Sequence, residues 1–375
     1  MRQHILSIIT AVALAAPVPA MAQADDASFS IMTLNVDGLP GRLLFFNVND
    51  NGPKALGSIA VSLYMAAQNC DIVAMQEDFN YSCELWSCLH LAYEHDEWTG
   101  GIFLDELQQM DLIHPQNIKL PCDGLNTAWK RCCRSTVYER VPWNRSFGKF
   151  SHALDDMVTK GFRRHEITLA NGQEIVVYNL HMDASAAIDR ERNRDAKDRQ
   201  ARLAQWEQLR QHIIERLDSR PVVVVGDMNS FYHRDPIKTA FIDAIQSTGL
   251  ATVGDAWVEH ECGGLYPEVG GAPLPGEPLD KVLYINPTAA STVIVPTSVA
   301  LDQSGYVGID GKPLGDHYPL IARFSFVPCR PIPTAVGTVA TADAAAERYS
   351  LQGIRQDADA KGLVITRSGK KKVQR

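Results

Sequence analysis

Five short, widely separated segments carry the polar groups that metal-assisted phosphoester chemistry would use. They are Leu34-Asn35-Val36-Asp37-Gly38-Leu39, Met75-Gln76-Glu77, Asn179-Leu180-His181-Met182-Asp183, Gly226-Asp227-Met228-Asn229 and Gly315-Asp316-His317-Tyr318-Pro319. A further segment, Leu279-Asp280-Lys281, precedes the last of them. Glu77 follows the apolar run Ile72-Val73-Ala74-Met75, and a carboxylate at a strand exit is a hard oxygen ligand for Mg²⁺ or Mn²⁺. Asp227 could orient or deprotonate a water, and Asn229 could hold an oxygen without adding charge, although Gly-Asp-x-Asn is also a favoured turn sequence. Asp316 stands beside His317, whose side chain titrates near neutrality. Asp280 could accept a bond from that ring, fix its tautomer and raise its pKa. His181 ends a well-defined strand, with Asp183 two residues on. Each group alone fits an ordinary surface or core role. Together, in this order, they describe one site assembled from the whole chain.

Convergence requires strands that end on a shared rim. Strand candidates are Phe29 to Leu34, Asp71 to Met75, Pro221 to Val225, Lys281 to Ile285, Thr292 to Val295 and Leu320 to Phe326. Glu166 to Ala170 and Glu174 to Tyr178 flank Asn171-Gly172, a pair that favours a type I′ hairpin. The valine run Val222 to Val225 reads as a strand buried on both faces, so its sheet must be covered on each side. Helices are expected over Lys54 to Gln68, Ala184 to Leu217 and Pro236 to Thr248, the second with Leu203, Trp206, Leu209, Ile213 and Leu217 at helical spacing. Strands, a hairpin and intervening helices together indicate an α/β sandwich with a mixed sheet.

Composition narrows the setting. Arg2, His4, the apolar Ile5 to Ala16 and the small-x-small Ala20-Met21-Ala22 resemble a secretory signal over residues 1–22, with cleavage near Ala22 and a secreted or periplasmic mature protein. The apolar run is too short to cross about 30 Å of hydrocarbon. Eight cysteines, an even number in an exported chain, point to disulfides. Cys83 with Cys88, and Cys122 with Cys132 or Cys133, are candidate pairs. Zinc is the rival reading, but no His lies at ligand spacing from them. A net charge of −8 gives no global field for a polyanion. Basic clusters occur at Lys130 to Arg134, Arg163-Arg164-His165 and Arg190 to Arg199, the last alternating with acids as on a solvated helix face. Residues 27–328 form one expected catalytic domain, and 331–375 a low-complexity, mostly disordered tail with room for one short helix.

Taken together, the segments resemble the endonuclease/exonuclease/phosphatase superfamily, which includes deoxyribonuclease I, abasic-site endonucleases, neutral sphingomyelinases and inositol polyphosphate 5-phosphatases. The resemblance covers residues 29–326. Asn35-Val36-Asp37-Gly38-Leu39 is similar to the opening Asn-x-Asp-Gly-Leu segment, Gln76-Glu77 to the Gln-Glu metal motif, and Gly226-Asp227-Met228-Asn229 to Gly-Asp-x-Asn. Asp316-His317-Tyr318-Pro319 is similar to the closing Ser-Asp-His-x-Pro, with Gly315 in place of Ser. The resemblance implies a four-layered α/β sandwich with two mixed β-sheets, deoxyribonuclease I-like, hydrolysing a phosphoester by in-line attack of water. It implies a Mg²⁺ or Mn²⁺ cofactor held by Glu77, assisted by Asn35 and Asp316. Asp227 and Asn229 would position water or the leaving oxygen, and Asn35, His181, Asn229 and His317 would hold phosphoryl oxygens. Asp280 would orient His317, and both Asp227 and His317 stay candidates for activating the water.

The substrate is less legible. The His181 segment and Lys160-Gly161-Phe162 look closer to secreted sphingomyelinase-like members. Leu43, Leu44, Phe45 and Phe46 follow the Asn35 segment and could dip into a membrane surface, or fold back into the core. A phospholipid headgroup is therefore the first expectation and nucleic acid the second, with inositol phosphates as a third; no obligate protein partner is implied. A catalytically dead binding module would lack motif residues, and none is missing.

Overall fold

The computed structural model describes residues 27–39, 52–97, 122–147, 155, 158–185 and 194–329, with the backbone of several short strands besides. The expected signal segment, Arg190 and the side chains of Leu43, Leu44, Phe45 and Phe46 lie outside the described residues. In chain order the strands are β1 (Ser28–Asn35), β2 (Arg42–Leu43), β3 (Phe46–Asn47), β4 (Ile72–Gln76), β5 (Tyr93–His95), β6 (Asn126–Lys130) and β7 (Arg134–Pro142). They continue as β8 (Gly161–Thr168), β9 (Glu174–His181), β10 (Val222–Asp227), β11 (Ala251–Asp255), β12 (Asp280–Pro287), β13 (Thr292–Leu301) and β14 (Leu320–Pro328).

Two six-stranded sheets result, in the orders β13-β14-β1-β4-β6-β5 and β11-β12-β10-β9-β8-β7. Each is mixed, with one parallel pair at its centre: β1 with β4, and β9 with β10. Every residue of β10 is buried, as the valine run required. The helix Lys54–Gln68 covers the first sheet, burying Val61 and Met65 in one cluster with Met32, Leu34, Val73 and Met75. The helix Ala196–Arg216 covers the second, setting Trp206, Leu209 and Ile213 in the cluster that holds Val222 to Val225. Helix, sheet, sheet and helix give the four-layered α/β sandwich.

A polar lock sits between the sheets. The Asn179 amide donates to the carbonyls of Met75 and Asn126 and accepts from Gln76 Nε2 at 2.7 Å. Buried amides carry an unmet-bond cost of about 1–3 kcal/mol each, so these bonds fix how the rims of the two sheets align.

Several local expectations differ. The β8–β9 connection is not a type I′ turn: only Gly172 has positive φ, at 80°. Gly172 N–H bonds to Leu169 O at 2.9 Å and Leu169 N–H to Gln173 O at 2.8 Å. This is a three-residue loop with glycine at the left-handed position. Asn171 uses its side chain instead, accepting from Gln173 N–H at 3.0 Å. The third expected helix opens as a π-turn, Lys238–Ile242, before Asp243–Gln246. No disulfide forms: all eight cysteines are free, and Cys70, Cys122 and Cys133 are buried in three separate clusters.

Residues 330–375 form a second compact unit. It contains four short strands, Arg348–Tyr349, Arg355–Gln356, Gly362–Thr366 and Lys371–Gln374, joined antiparallel in one sheet. A mostly disordered tail was expected there, on the strength of the Pro-, Ala- and Thr-rich stretch 331–346, whereas the β-forming run Leu363-Val364-Ile365 lies beyond it.

Candidate active site

Strand register explains why the motifs meet. In the parallel pair of the second sheet Asp227 lies opposite His181, and in the antiparallel pair beside it Asp227 lies opposite Asp280. In the first sheet Asn35 lies opposite Gln76, directly before Glu77. β14 runs antiparallel to β1 with Leu320 opposite Thr33, so His317 enters at the same rim. Gly226 makes the close register feasible: a Cβ there would lie 2.0 Å from Leu180 O, and its φ is 142°. Two site residues hold left-handed backbone without being glycine, Glu77 at φ 57° and Asn229 at φ 47°. Such conformations cost on the order of 1–3 kcal/mol and persist where surroundings over-determine them.

Asp227 is the hub. Its Oδ1 accepts from Asn229 N–H at 2.9 Å, and its Oδ2 accepts from Asn35 Nδ2 at 3.1 Å. The same Oδ2 is 3.4 Å from His181 Nε2 and 3.6 Å from His317 Nε2. Asn35 Nδ2 also donates to Glu77 Oε1 at 2.9 Å, while its Oδ1 accepts from Asp37 N–H at 3.0 Å. Asn35 thus turns its nitrogen, not its oxygen, to the carboxylates. Asn229 Nδ2 donates to Met182 O at 3.1 Å, and His317 Nδ1 donates to Asp280 Oδ2 at 2.6 Å.

The spacing of motifs did not assign a role to Lys160, which lies at the centre. Its ammonium pairs with Asp155 and lies 3.0 Å from His181 Nε2 and 3.3 Å from Met182 O. A charged ammonium has no lone pair, so the ring nitrogen accepts and the His181 proton sits on Nδ1, which is buried without a partner. The available signal was a lysine next to Gly161 at the entry of a buried strand. Asp316, by contrast, lies exposed at the rim.

Charge divides these groups. Burial opposes ionisation of Asp227, but the protonated His317 and the Asn229 N–H hold its pKa at about 2. Burial and then Lys160 push His181 well below the usual imidazole range, so it is neutral. Burial works against a charged His317 as well, but Asp280 and Asp227 overcome it and hold the ring protonated. Burial raises the Glu77 carboxyl, with Lys160 and the Asn35 amide pulling it back and Asp316 adding to the rise.

The donor set suits a divalent cation. Four carboxylates (Glu77, Asp227, Asp280 and Asp316) face the two cations Lys160 and protonated His317, which leaves negative charge uncompensated, and Asp280 Oδ1 is buried without a partner. Among the described residues, Asp227, Asp280 and His317 offer ligand atoms within 4.8 Å of one another. That trio is already joined by the His317–Asp280 bond. The oxygens of Glu77 and Asp316 are the harder alternative.

No family model matches the chain. Sphingomyelinases of Mycobacterium bovis and Mycobacterium tuberculosis are each 26% identical to it over 312 residues, covering 80% of this chain and 53% of theirs. The chain thus spans about half the length of the curated relatives it matches. Among solved structures, a humanized D. rerio TDP2 aligns with TM-score 0.51 at 15% identity, covering 80% of this chain and 99% of that one. The human Nocturnin catalytic domain aligns with TM-score 0.50 at 17% identity, covering 80% and 95%. These structural likenesses concern the fold, and it is the deoxyribonuclease I-like fold that the motif order implied.

Proposed function

We propose that this member of the endonuclease/exonuclease/phosphatase superfamily is an exported, divalent-metal-dependent phosphodiesterase acting on a phospholipid headgroup, as a sphingomyelinase does. The observation that carries the hydrolytic reading is Asp227, held anionic between a neutral and a protonated histidine. The lipid reading is supported by the mycobacterial sphingomyelinases, 26% identical over 80% of this chain.

The residues divide the work as follows. Asp227, fixed by Asn229 and Asn35, orients the attacking water and takes its proton as the new P–O bond forms. His317, kept protonated by Asp280, gives its Nε2 proton to the departing oxygen as the old P–O bond breaks. Lys160 offsets negative charge that builds on the phosphoryl oxygens, with His181 between it and Asp227. A divalent cation held by Glu77 with Asp316, Mg²⁺ on our reading, would polarise a phosphoryl oxygen as a Lewis acid. Preorganised donors of this kind are each worth about 2.7–4 kcal/mol of barrier.

The test is release of phosphocholine from sphingomyelin vesicles with Mg²⁺, using Asp227→Ala as control. Plasmid DNA and inositol phosphates run in parallel. Metal-dependent release lost in the variant is the expected result. Cleavage of plasmid alone would replace the lipid reading with that of an exported nuclease, and inert lipid, DNA and inositol phosphates would remove the hydrolase.

A further inference from the structure

Lys281 is a buried cation that takes no part in the hydrolysis. Successive residues of a strand point to opposite faces, so in β12 Asp280 turns toward His317 and Lys281 turns away from the site. The Lys281 side chain is only 2% exposed. Its Nζ donates to Glu277 Oε1 at 2.9 Å and to Pro278 O at 3.0 Å, and lies 4.8 Å over the Tyr232 ring. Buried charges are kept where they are paired, and Glu277 is that pair.

Glu277 does more than neutralise the lysine. The same Oε1 accepts the Tyr232 N–H at 2.9 Å, while Oε2 is buried with no hydrogen-bond partner among the described residues. Tyr232 is anchored at its other end as well. Its hydroxyl donates to Asp255 Oδ2 at 2.8 Å, and Asp255 Oδ1 caps the helix Ala256–Cys262. One carboxylate oxygen therefore joins the chain that leaves Asn229 to the chain that enters Asp280. Met228 N–H reinforces the junction on Leu279 O at 3.2 Å.

The junction adjoins a strained residue. Asn229 holds left-handed backbone at φ 47°, a conformation that persists where surroundings over-determine it. Its N–H is held by Asp227 Oδ1 and its side chain by Met182 O. On its C-terminal side the backbone is held at Tyr232, where Glu277 takes the N–H.

We propose that Glu277 is a positioning residue of this site, fixed in place by Lys281. By holding the Tyr232 N–H it keeps Asn229 in its left-handed conformation against Asp227 and ties that loop to Asp280. The inference deepens the phosphodiesterase reading and rests on it for its kinetic readout only.

Two double variants of the full chain separate position from charge. Glu277→Gln with Lys281→Met leaves no buried charge and keeps an oxygen for the Tyr232 N–H. Glu277→Leu with Lys281→Met also leaves no charge but removes that oxygen. The first should keep kcat for phosphocholine release within about threefold of the parent, since a neutral pair can replace a buried ionic one. The second should lose about tenfold more, the scale of strain that a left-handed residue stores, with KM nearly unmoved. With Asn229→Ala added to both, that difference should vanish. Equal kcat in the two doubles, or a difference that survives Asn229→Ala, would overturn the proposal. If the parent protein hydrolyses nothing, the phosphodiesterase reading fails by itself, and amide hydrogen exchange on the parent decides the brace. The Tyr232 and Asn229 N–H groups should then open together with one urea dependence, and independent opening rejects the proposal. The same measurement decides if the leucine variant does not fold.

Discussion

His317 Nδ1 donates to Asp280 Oδ2 across 2.6 Å, which turns its other ring nitrogen toward Asp227 Oδ2 at 3.6 Å. Asp280 therefore fixes the aim of the imidazole and, with Asp227, its charge. Asp280→Asn keeps the shape and removes the anion. We expect kcat to fall by about 10²- to 10³-fold, as for loss of one preorganised electrostatic contact. Steady-state kinetics decide it, and an unchanged kcat would exclude Asp280 from the work of the site.

Glu77 tests the cation. Glu77→Gln keeps the bond from Asn35 feasible but removes the charge. Titration calorimetry with Mg²⁺ should show binding to the parent protein and at least about tenfold weaker binding to the variant, since a charged oxygen ligand is lost. A chelator should abolish activity reversibly. Equal affinity in both proteins would move the cation elsewhere, with Asp227, Asp280 and His317 as the next set.

Lys160 separates stability from catalysis. It is buried against Asp155, so Lys160→Met leaves an uncompensated carboxylate and should destabilise by about 3–5 kcal/mol. Adding Asp155→Asn should return most of that stability and none of the activity. Recovery of kcat in the double variant would show that Lys160 does no more than neutralise Asp155.

Arg163, opposite Asn179 in the β8–β9 pair, joins the two sheets. Fully buried, it reaches Asp96 at 3.1 Å and Asp123 at 2.7 Å, one on either side of the segment 98–121, which lies outside the described residues. Arg163→Met should cost about 3 kcal/mol in chemical denaturation, because two buried anions lose their shared cation while Asp123 keeps Arg140 at 2.6 Å. A loss below about 1 kcal/mol would mean that water reaches the cluster.

Glu166 supplies a pH test away from the site. Hydrogen bonds from Arg220 and Arg164 hold its pKa at about 2, below the unfolded value. A depressed carboxyl stabilises above the unfolded pKa, and that contribution fades as pH falls through the folded one. Glu166→Gln should therefore be less stable than the parent at pH 7, by about 1 kcal/mol at most for so solvated a pair. The gap should close near pH 2. A gap that widens on acidification would contradict the linkage.

Local order in the chain determined a good deal. Alternating and continuous apolar runs announced most central strands, and the Asn35, Glu77, Asp227 and His317 segments were legible because each follows or precedes such a run. The inner strand β6 and the edge strand β7 were not, since polar residues interrupt them and their partners lie in β4, β5 and β8. Which atom faces which is a different matter. Asn35 meets Asp227 across 192 residues of chain, a distance that no local pattern spans. The register of β9 on β10 and the Asn179 lock between the sheets bring those rims together, and only then does Lys160 meet His181 and Asp155. Residue type and spacing reflect short-range propensity, which the sequence carries on its face. The partner of a buried polar atom is fixed by packing between distant strands, and that exists only in the folded chain.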